Sequence, residues 1–141
     1  MVLNLSQRRA LRLRKLLGKE VKLAKDVIGE DAKALVNDIA EGEAILLENV
    51  RFFSEEQLKR SAEEEATSVL VKTLTPLVDY FVNDAFAAAH RSQTSLVGFT
   101  RTVPSAAGRV MEKELTVIGN ALANVQHPCV FALGGMKADD S

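Results

Sequence analysis

Leu46-Leu47-Glu48-Asn49-Val50-Arg51-Phe52 and its counterpart Asn83-Asp84-Ala85-Phe86-Ala87-Ala88-Ala89-His90-Arg91 set the fold class of this chain. Each stretch follows or closes an apolar, strand-like run, at 44–48 and at 77–82, then turns polar and reaches a single arginine. A run that stays apolar without alternation is the pattern of a parallel strand covered on both faces. In an open parallel sheet, ligands bind beyond the carboxyl ends of the strands. Arginines placed there can hold a phosphate or carboxylate with forked, charge-assisted hydrogen bonds.

Helices and strands alternate outward from these two runs. The leucines of residues 5–17 predict an amphipathic helix, with Leu5, Leu11, Leu13, Leu16 and Leu17 supplying its apolar side and Gly18 its stop. Residues 21–24 read as a short strand. Residues 30–40 read as a helix with Ala34, Leu35 and Ile39 inward, closed by Gly42. An acidic loop over 52–59 leads to Ser61, and Glu64 three residues later completes a capping-box signal for a helix reaching Leu74. Pro76 marks a turn. A short helix is expected over 85–90 and a short strand over 95–99. Pro104-Ser105 is expected to open a long helix ending near Ala123, with Val110, Met111, Leu115, Ile118 and Leu122 on its apolar positions. A last strand over 130–133 runs into Gly134-Gly135-Met136-Lys137. Strands separated by helices imply βα units and a parallel sheet.

The bulk numbers suit a single domain's worth of chain: 141 residues, 47% hydrophobic and 26% charged, with a net charge of −1 that gives no general attraction to nucleic acid. Arg8, Arg9, Arg12, Arg14, Lys15, Lys19, Lys22 and Lys25 crowd the first segment, while Glu55, Glu56, Glu63, Glu64 and Glu65 crowd the middle. The basic segment lacks interleaved aromatics for base stacking, so it is read as a solvated helix face rather than an RNA or membrane contact. Cys129 is the single cysteine, so no disulfide forms within the chain, and its apolar neighbours predict a buried thiol. No stretch approaches the roughly 18 apolar residues of a membrane span, and a cytoplasmic setting is expected.

Several residue types carry chemistry, each with a plainer reading beside it. Arg51 is either an anion ligand or a capping or ion-pair arginine. Asn49 suits a turn, and Glu48 is a structural carboxylate paired with a neighbouring arginine. His90 is either a general base or a hydrogen-bonded structural histidine, and Arg91 is the stronger candidate for function. Gly134-Gly135-Met136-Lys137 after a strand is either a plain turn or a loop whose backbone N–H groups approach a phosphate, with Lys137 adding charge. It lacks the Walker spacing. Asp139 and Asp140 are adjacent, and adjacent side chains point apart, so no metal ligand is assigned.

The order of these motifs resembles phosphoglycerate kinase. The matching pieces are Asp26-Val27-Ile28-Gly29, the Leu46-to-Phe52 run, Asn83-Asp84-Ala85-Phe86 through His90-Arg91, Ser95-Leu96-Val97-Gly98, Pro104-Ser105-Ala106-Ala107-Gly108, Met111-Glu112-Lys113-Glu114-Leu115 and the closing glycine turn. Ala87-Ala88-Ala89 and the final residues look like archaeal members. The resemblance implies a Rossmann-like three-layer αβα fold with a parallel sheet, incomplete in this chain. It also implies reversible phosphoryl transfer, in glycolysis and gluconeogenesis, between ATP and 3-phosphoglycerate, giving ADP and 1,3-bisphosphoglycerate, with the nucleotide carried as Mg-ATP or Mg-ADP. By motif, Arg51 and Arg91 would bind substrate phosphate. Gly134, Gly135 and Lys137 would bind nucleotide phosphate, with Lys137 also contacting the moving phosphoryl group.

The family's DFN-type opening strand, its SHxGRP-type loop and nearly all of its nucleotide domain have no counterpart here. The expectation is therefore a fragment: residues 1–125 as a partial substrate domain with its connecting helix, and 126–141 as the start of the nucleotide domain. Alone, it is expected to be inactive and prone to self-association. The alternative is a non-catalytic anion-binding or interaction module of the same fold. No membrane or nucleic-acid partner is expected.

Overall fold

The computed structural model describes residues 4–130 and 132. Its first part is a helix followed by a βαβ unit. Helix α1 (Leu5–Leu17) starts at Asn4, whose side chain accepts from the Gln7 N–H while Gln7 returns a bond to the Asn4 N–H. It stops at Gly18, which takes the left-handed conformation at φ 65°. Strand β1 (Val21–Leu23), helix α2 (Glu30–Asn37) and strand β2 (Ala44–Leu46) follow. The two strands pair in parallel, Val21 opposite Ala44 and Leu23 opposite Leu46. The Arg14 guanidinium grips the Val21 carbonyl through two N–H groups, at 3.0 and 2.8 Å, and so fixes α1 against β1.

The second part holds α3 (Ala62–Glu65), α4 (Val69–Leu74), β3 (Phe81–Asn83), α5 (Thr94–Val97), β4 (Ser105–Ala107) and α6 (Arg109–Ala123). Strands β3 and β4 also pair in parallel, Phe81 opposite Ser105 and Asn83 opposite Ala107. The α/β class with parallel pairing is as expected. Among the described residues the pairing forms two separate two-stranded sheets rather than one. A shared core joins the two parts: Val27, Leu70, Val71, Leu74 and Phe99 are buried, with Leu47, Val50, Phe53 and Phe81 packed against them. The Phe81 and Phe99 rings stack with centroids 5.4 Å apart.

Several expectations are corrected. The helix expected over 61–74 is two helices, because the Ser68 hydroxyl and the Glu55 carboxylate cap a fresh start at Val69. Residues 95–99 are helical, not a strand. The Glu56 carboxylate holds the Ser95 N–H, and Gly98 packs so closely that a Cβ there would lie 2.6 Å from Val71 and 3.0 Å from the Glu65 carbonyl. The strand expected over 77–82 shrinks to β3, since Thr75–Leu77 closes as a 3-10 turn around Pro76. The last helix starts at Arg109, not Pro104, because Ser105–Ala107 is taken by pairing with β3.

Inward positions also differ. In α2 it is Ala32 that is buried, while Ala34 and Ile39 are exposed. In α1 the buried residues are Ser6 and Ala10, and Leu5, Leu11, Leu16 and Leu17 are exposed. Cys129 is exposed, not buried. Of the strand expected over 130–133, Val130 and Ala132 are irregular and the other two positions lie outside the described residues. No described helix is long and apolar enough to cross a membrane.

Candidate functional site

The chain leaves β2 through Leu47 and turns at Glu48. The Glu48 carboxylate accepts from its neighbour's N–H, Asn49, at 2.7 Å and from the Ser6 hydroxyl of α1. Its partners in these contacts are an amide and a hydroxyl rather than the arginine expected from sequence. Asn49 caps the 3-10 turn Val50–Phe52, its side-chain oxygen accepting from the Arg51 N–H at 3.1 Å. Val50 and Phe53, on either side of the turn, pack against the core. Arg51 and Phe52 between them are therefore turned outward and exposed.

The loop after β3 is built in a similar way. The Asn83 side chain accepts from the Ala85 N–H at 3.0 Å and donates to the Leu96 carbonyl at 3.3 Å. Asp84 turns away to α6, where its Oδ1 accepts from Val110 and Met111 at 2.8 and 2.9 Å. The 3-10 turn Phe86–Ala88 follows, and the Arg91 N–H bonds the Ala88 carbonyl at 3.0 Å. Arg91 Nε donates to His90 Nε2 at 3.4 Å, so that ring nitrogen acts as an acceptor here.

The ion pairs of the described residues engage Arg14, Lys22, Lys33, Arg60 and Arg101. Neither Arg51 nor Arg91 is among them. Among the described residues Arg51 makes no ion pair, and both guanidinium groups stand exposed past the carboxyl ends of parallel strands, one strand in each sheet. Such groups can receive an anion in forked geometry, because no carboxylate of the described residues competes for them. Gly134, Gly135 and Lys137 lie outside the described residues.

Sequence reasoning gave a partner only to Glu64 among the acids of 55–65, and the structure gives one to each of Glu55, Glu56, Glu63, Glu64 and Glu65. The Glu55 carboxylate accepts from Val69 and Leu70 at 2.9 and 3.3 Å. Glu56, buried, accepts from the N–H and hydroxyl of Ser95 at 2.9 and 2.5 Å. Glu63 pairs with Arg101 at 2.8 Å. Glu64 closes the expected capping box with Ser61, whose N–H and then hydroxyl lower the Glu64 pKa. Glu65 is fully buried and takes both a forked bond from Arg60 and the Thr94 hydroxyl. That bond to the Glu65 carboxylate raises the Arg60 pKa. These contacts tie the segment after Arg51 to the segment after Arg91. The available sequence signal was the count of Ser and Thr residues at 92–95 facing that acidic run.

Parallel strands with helical crossovers, carrying past their carboxyl ends two arginines without an ion pair among the described residues, define an α/β protein of the parallel, Rossmann-like class. The family model described as Phosphoglycerate kinase matches residues 4–141, and the chain belongs to that family. It is similar to the phosphoglycerate kinase of Methanothermobacter thermautotrophicus, 60% identical over 126 residues that make up 89% of this chain and 31% of that protein. It is similar also to the phosphoglycerate kinase of Sulfurisphaera tokodaii, 47% identical over 92% of this chain and 31% of that protein. Among solved structures, phosphoglycerate kinase from Pyrococcus horikoshii OT3 superimposes with a TM-score of 0.87 at 40% identity, over 95% of this chain and 33% of that one. The chain thus spans about a third of the length of these archaeal relatives.

Proposed function

We propose that these residues serve reversible phosphoryl transfer between ATP and 3-phosphoglycerate, giving ADP and 1,3-bisphosphoglycerate. The observation that carries this reading is the pair of arginines without acid partners among the described residues, Arg51 and Arg91, in the loops after β2 and β3 of a phosphoglycerate kinase family member. In this reading both arginines hold the substrate's phosphate. Residues 1–125 form the substrate side with its connecting helix, and 126–141 begin the nucleotide side. The end of α6 at Ala123 and the irregular residues 124–130 after it support that division. Gly134 and Gly135 let backbone approach the nucleotide phosphates. Lys137 contacts the transferring phosphoryl group. Magnesium arrives as part of the nucleotide substrate, and the setting is cytoplasmic, without nucleic-acid or membrane partners.

Phosphoryl transfer asks little covalent chemistry of the protein. It needs the acceptor oxygen and the phosphoryl donor held in line, and positive groups around the charge that spreads over the transferring oxygens. The core residues Val50 and Phe53 fix the Arg51 turn, and the bonds of Asn83 and Asp84 fix the start of the Arg91 loop, which keeps the two guanidinium groups pre-positioned. The test is a chimera in which these 141 residues replace the matching third of the Methanothermobacter thermautotrophicus relative. Turnover is expected, and Lys137→Ala should lower it more than it weakens 3-phosphoglycerate binding. A folded chimera that binds 3-phosphoglycerate without turnover would instead favour a non-catalytic anion-binding module.

A further inference from the structure

The loops that carry Arg51 and Arg91 leave different sheets, and no strand pairing joins those sheets among the described residues. Side chains join the loops instead. Ser92, Thr94 and Ser95 stand one, three and four residues after Arg91. The Ser92 hydroxyl donates to the Arg60 carbonyl, and the buried Thr94 hydroxyl donates to the Glu65 carboxylate. Ser95 gives both its N–H and its hydroxyl to the Glu56 carboxylate, at 2.9 and 2.5 Å.

Glu56 and Glu65 are both buried carboxylates, but only Glu65 has a guanidinium beside it, that of Arg60. Glu56 is 2% exposed and takes part in no ion pair among the described residues. Burying a carboxylate without a counter-charge is costly, and an apolar side chain of similar size would fill the space at less cost. Stability alone therefore does not account for Glu56. What its two oxygens add is a two-point hold on one distant residue. Glu56 lies in the 3-10 turn Ser54–Gln57, directly after the turn that carries Arg51. Its N–H bonds the Phe53 carbonyl at 3.1 Å, and the neighbouring Gln57 side chain donates to the Arg51 carbonyl at 3.4 Å. On the far side of the clasp, the Leu96 carbonyl next to Ser95 accepts from the Asn83 side chain at 3.3 Å, where β3 ends and the Arg91 loop begins. A continuous path of bonds thus runs from the Arg51 turn through Glu56 and Ser95 to the root of the Arg91 loop.

We propose that Glu56 is a positioning residue: by clasping Ser95 it fixes the Arg51 turn and the Arg91 loop against each other, so that both guanidinium groups reach one substrate phosphate. The proposal rests on the reading of the two arginines given above. Forked recognition of a phosphate is geometric, and a displacement near 1 Å can cost on the order of a hundredfold. The clasp works by reach rather than by charge. Glu56→Gln keeps the reach, since its amide can accept from the Ser95 N–H and donate to the Ser95 oxygen. Glu56→Asp keeps the charge and is one methylene too short.

The test is calorimetric titration of 3-phosphoglycerate into the chimera carrying Glu56→Gln, Glu56→Asp, Arg91→Ala, or Glu56→Asp together with Arg91→Ala. Glu56→Gln should bind as the parent does, and Glu56→Asp should bind about tenfold more weakly, with nucleotide affinity unchanged in both. In the Arg91→Ala background Glu56→Asp should weaken binding little further, because only one guanidinium is left to place. A carboxylate that merely supported the fold would cost the same affinity in both backgrounds. If Glu56→Asp fails to fold, Ser95→Ala takes its place in the same cycle. It removes the hydroxyl bond and leaves the amide bond, for a loss of about threefold. Full affinity in Glu56→Asp or its Ser95→Ala substitute, a loss in Glu56→Gln as large as in Glu56→Asp, or equal losses with and without Arg91 would each overturn the proposal while leaving the arginines as ligands. An Arg91→Ala chimera of unchanged affinity would overturn the reading of the arginines itself, and this proposal with it.

Discussion

Helices α2 and α6 are started by the same device set at two different ranges. In both, an aspartate shortly after a parallel strand turns its carboxylate onto the first free N–H groups of a helix. Asp26 accepts from Gly29, Asp31 and Ala32 at 2.9, 3.3 and 3.1 Å. Asp84 accepts from Val110 and Met111. In both, the residue before the helix is glycine because of space, not because of dihedral angle. A Cβ on Gly29 would sit 2.3 Å from the Asp26 carboxylate, and one on Gly108 would sit 2.3 Å from that of Asp84. Both glycines have ordinary extended backbone. The difference is distance along the chain. The first cap is complete within six residues, whereas the second joins positions 26 and 27 residues apart. The local cap forms with its own helix. The remote one needs the chain between 84 and 110 to fold back on itself, so the start of α6 depends on long-range structure.

The largest effect should come from closing the space at the remote cap. Gly108→Ala must displace Asp84, losing both amide bonds and adding strain, for about 2 kcal/mol or more of stability. In an Asp84→Gly background the same change should cost under about 0.5 kcal/mol, because the carboxylate and the residue-84 Cβ, which would lie 2.5 Å from the new methyl, are both gone. Denaturant melts of the four proteins check this, and equal costs in both backgrounds would break the account of Gly108.

Removing each carboxylate separates the two ranges. Asp26→Ala and Asp84→Ala should each cost about 1–2 kcal/mol. Hydrogen exchange should show protection falling in α2 for the first and in α6 for the second. Loss of protection in α6 on Asp26→Ala would contradict their independence.

What the sequence revealed follows the same division between near and far. The span of α1, its Gly18 stop and the Ser61–Glu64 box were legible because each is settled by residues within one helical turn. The parallel class was legible from unbroken apolar runs followed by helices. The break at Ser68, the helical state of 94–97 and the late start of α6 were not, since each depends on a carboxylate or strand that arrives from far along the chain. The exposed leucines of α1 misled for a related reason: periodicity reports an apolar side, and does not report whether anything covers it. At the candidate site, strand endings pointed to Arg51 and Arg91. The absence of ion-pair partners for either, among the described residues, required the structure.

The smallest effect belongs to the local box at α3. Glu64 has a lowered pKa because Ser61 donates its N–H and its hydroxyl to the carboxylate. A group with a depressed folded pKa adds stability that is present above its ordinary value of 4.5 and is lost as pH falls through the folded value. Glu64→Gln should therefore lower the melting temperature slightly at neutral pH, and the gap from the parent should close in acid. A gap that widened in acid would reverse the sign and refute the capping role.

The central claim is that Arg51 and Arg91 hold substrate phosphate. Calorimetric titration of 3-phosphoglycerate into the chimera, with and without Arg91→Ala, tests it most directly. Charge-assisted hydrogen bonds of this kind contribute about 1.5–3 kcal/mol. Affinity should fall about tenfold to hundredfold for Arg91→Ala, and similarly for Arg51→Ala, while nucleotide affinity barely changes. Unchanged 3-phosphoglycerate affinity in Arg91→Ala would contradict the claim and favour a structural role for that guanidinium through its contact to His90.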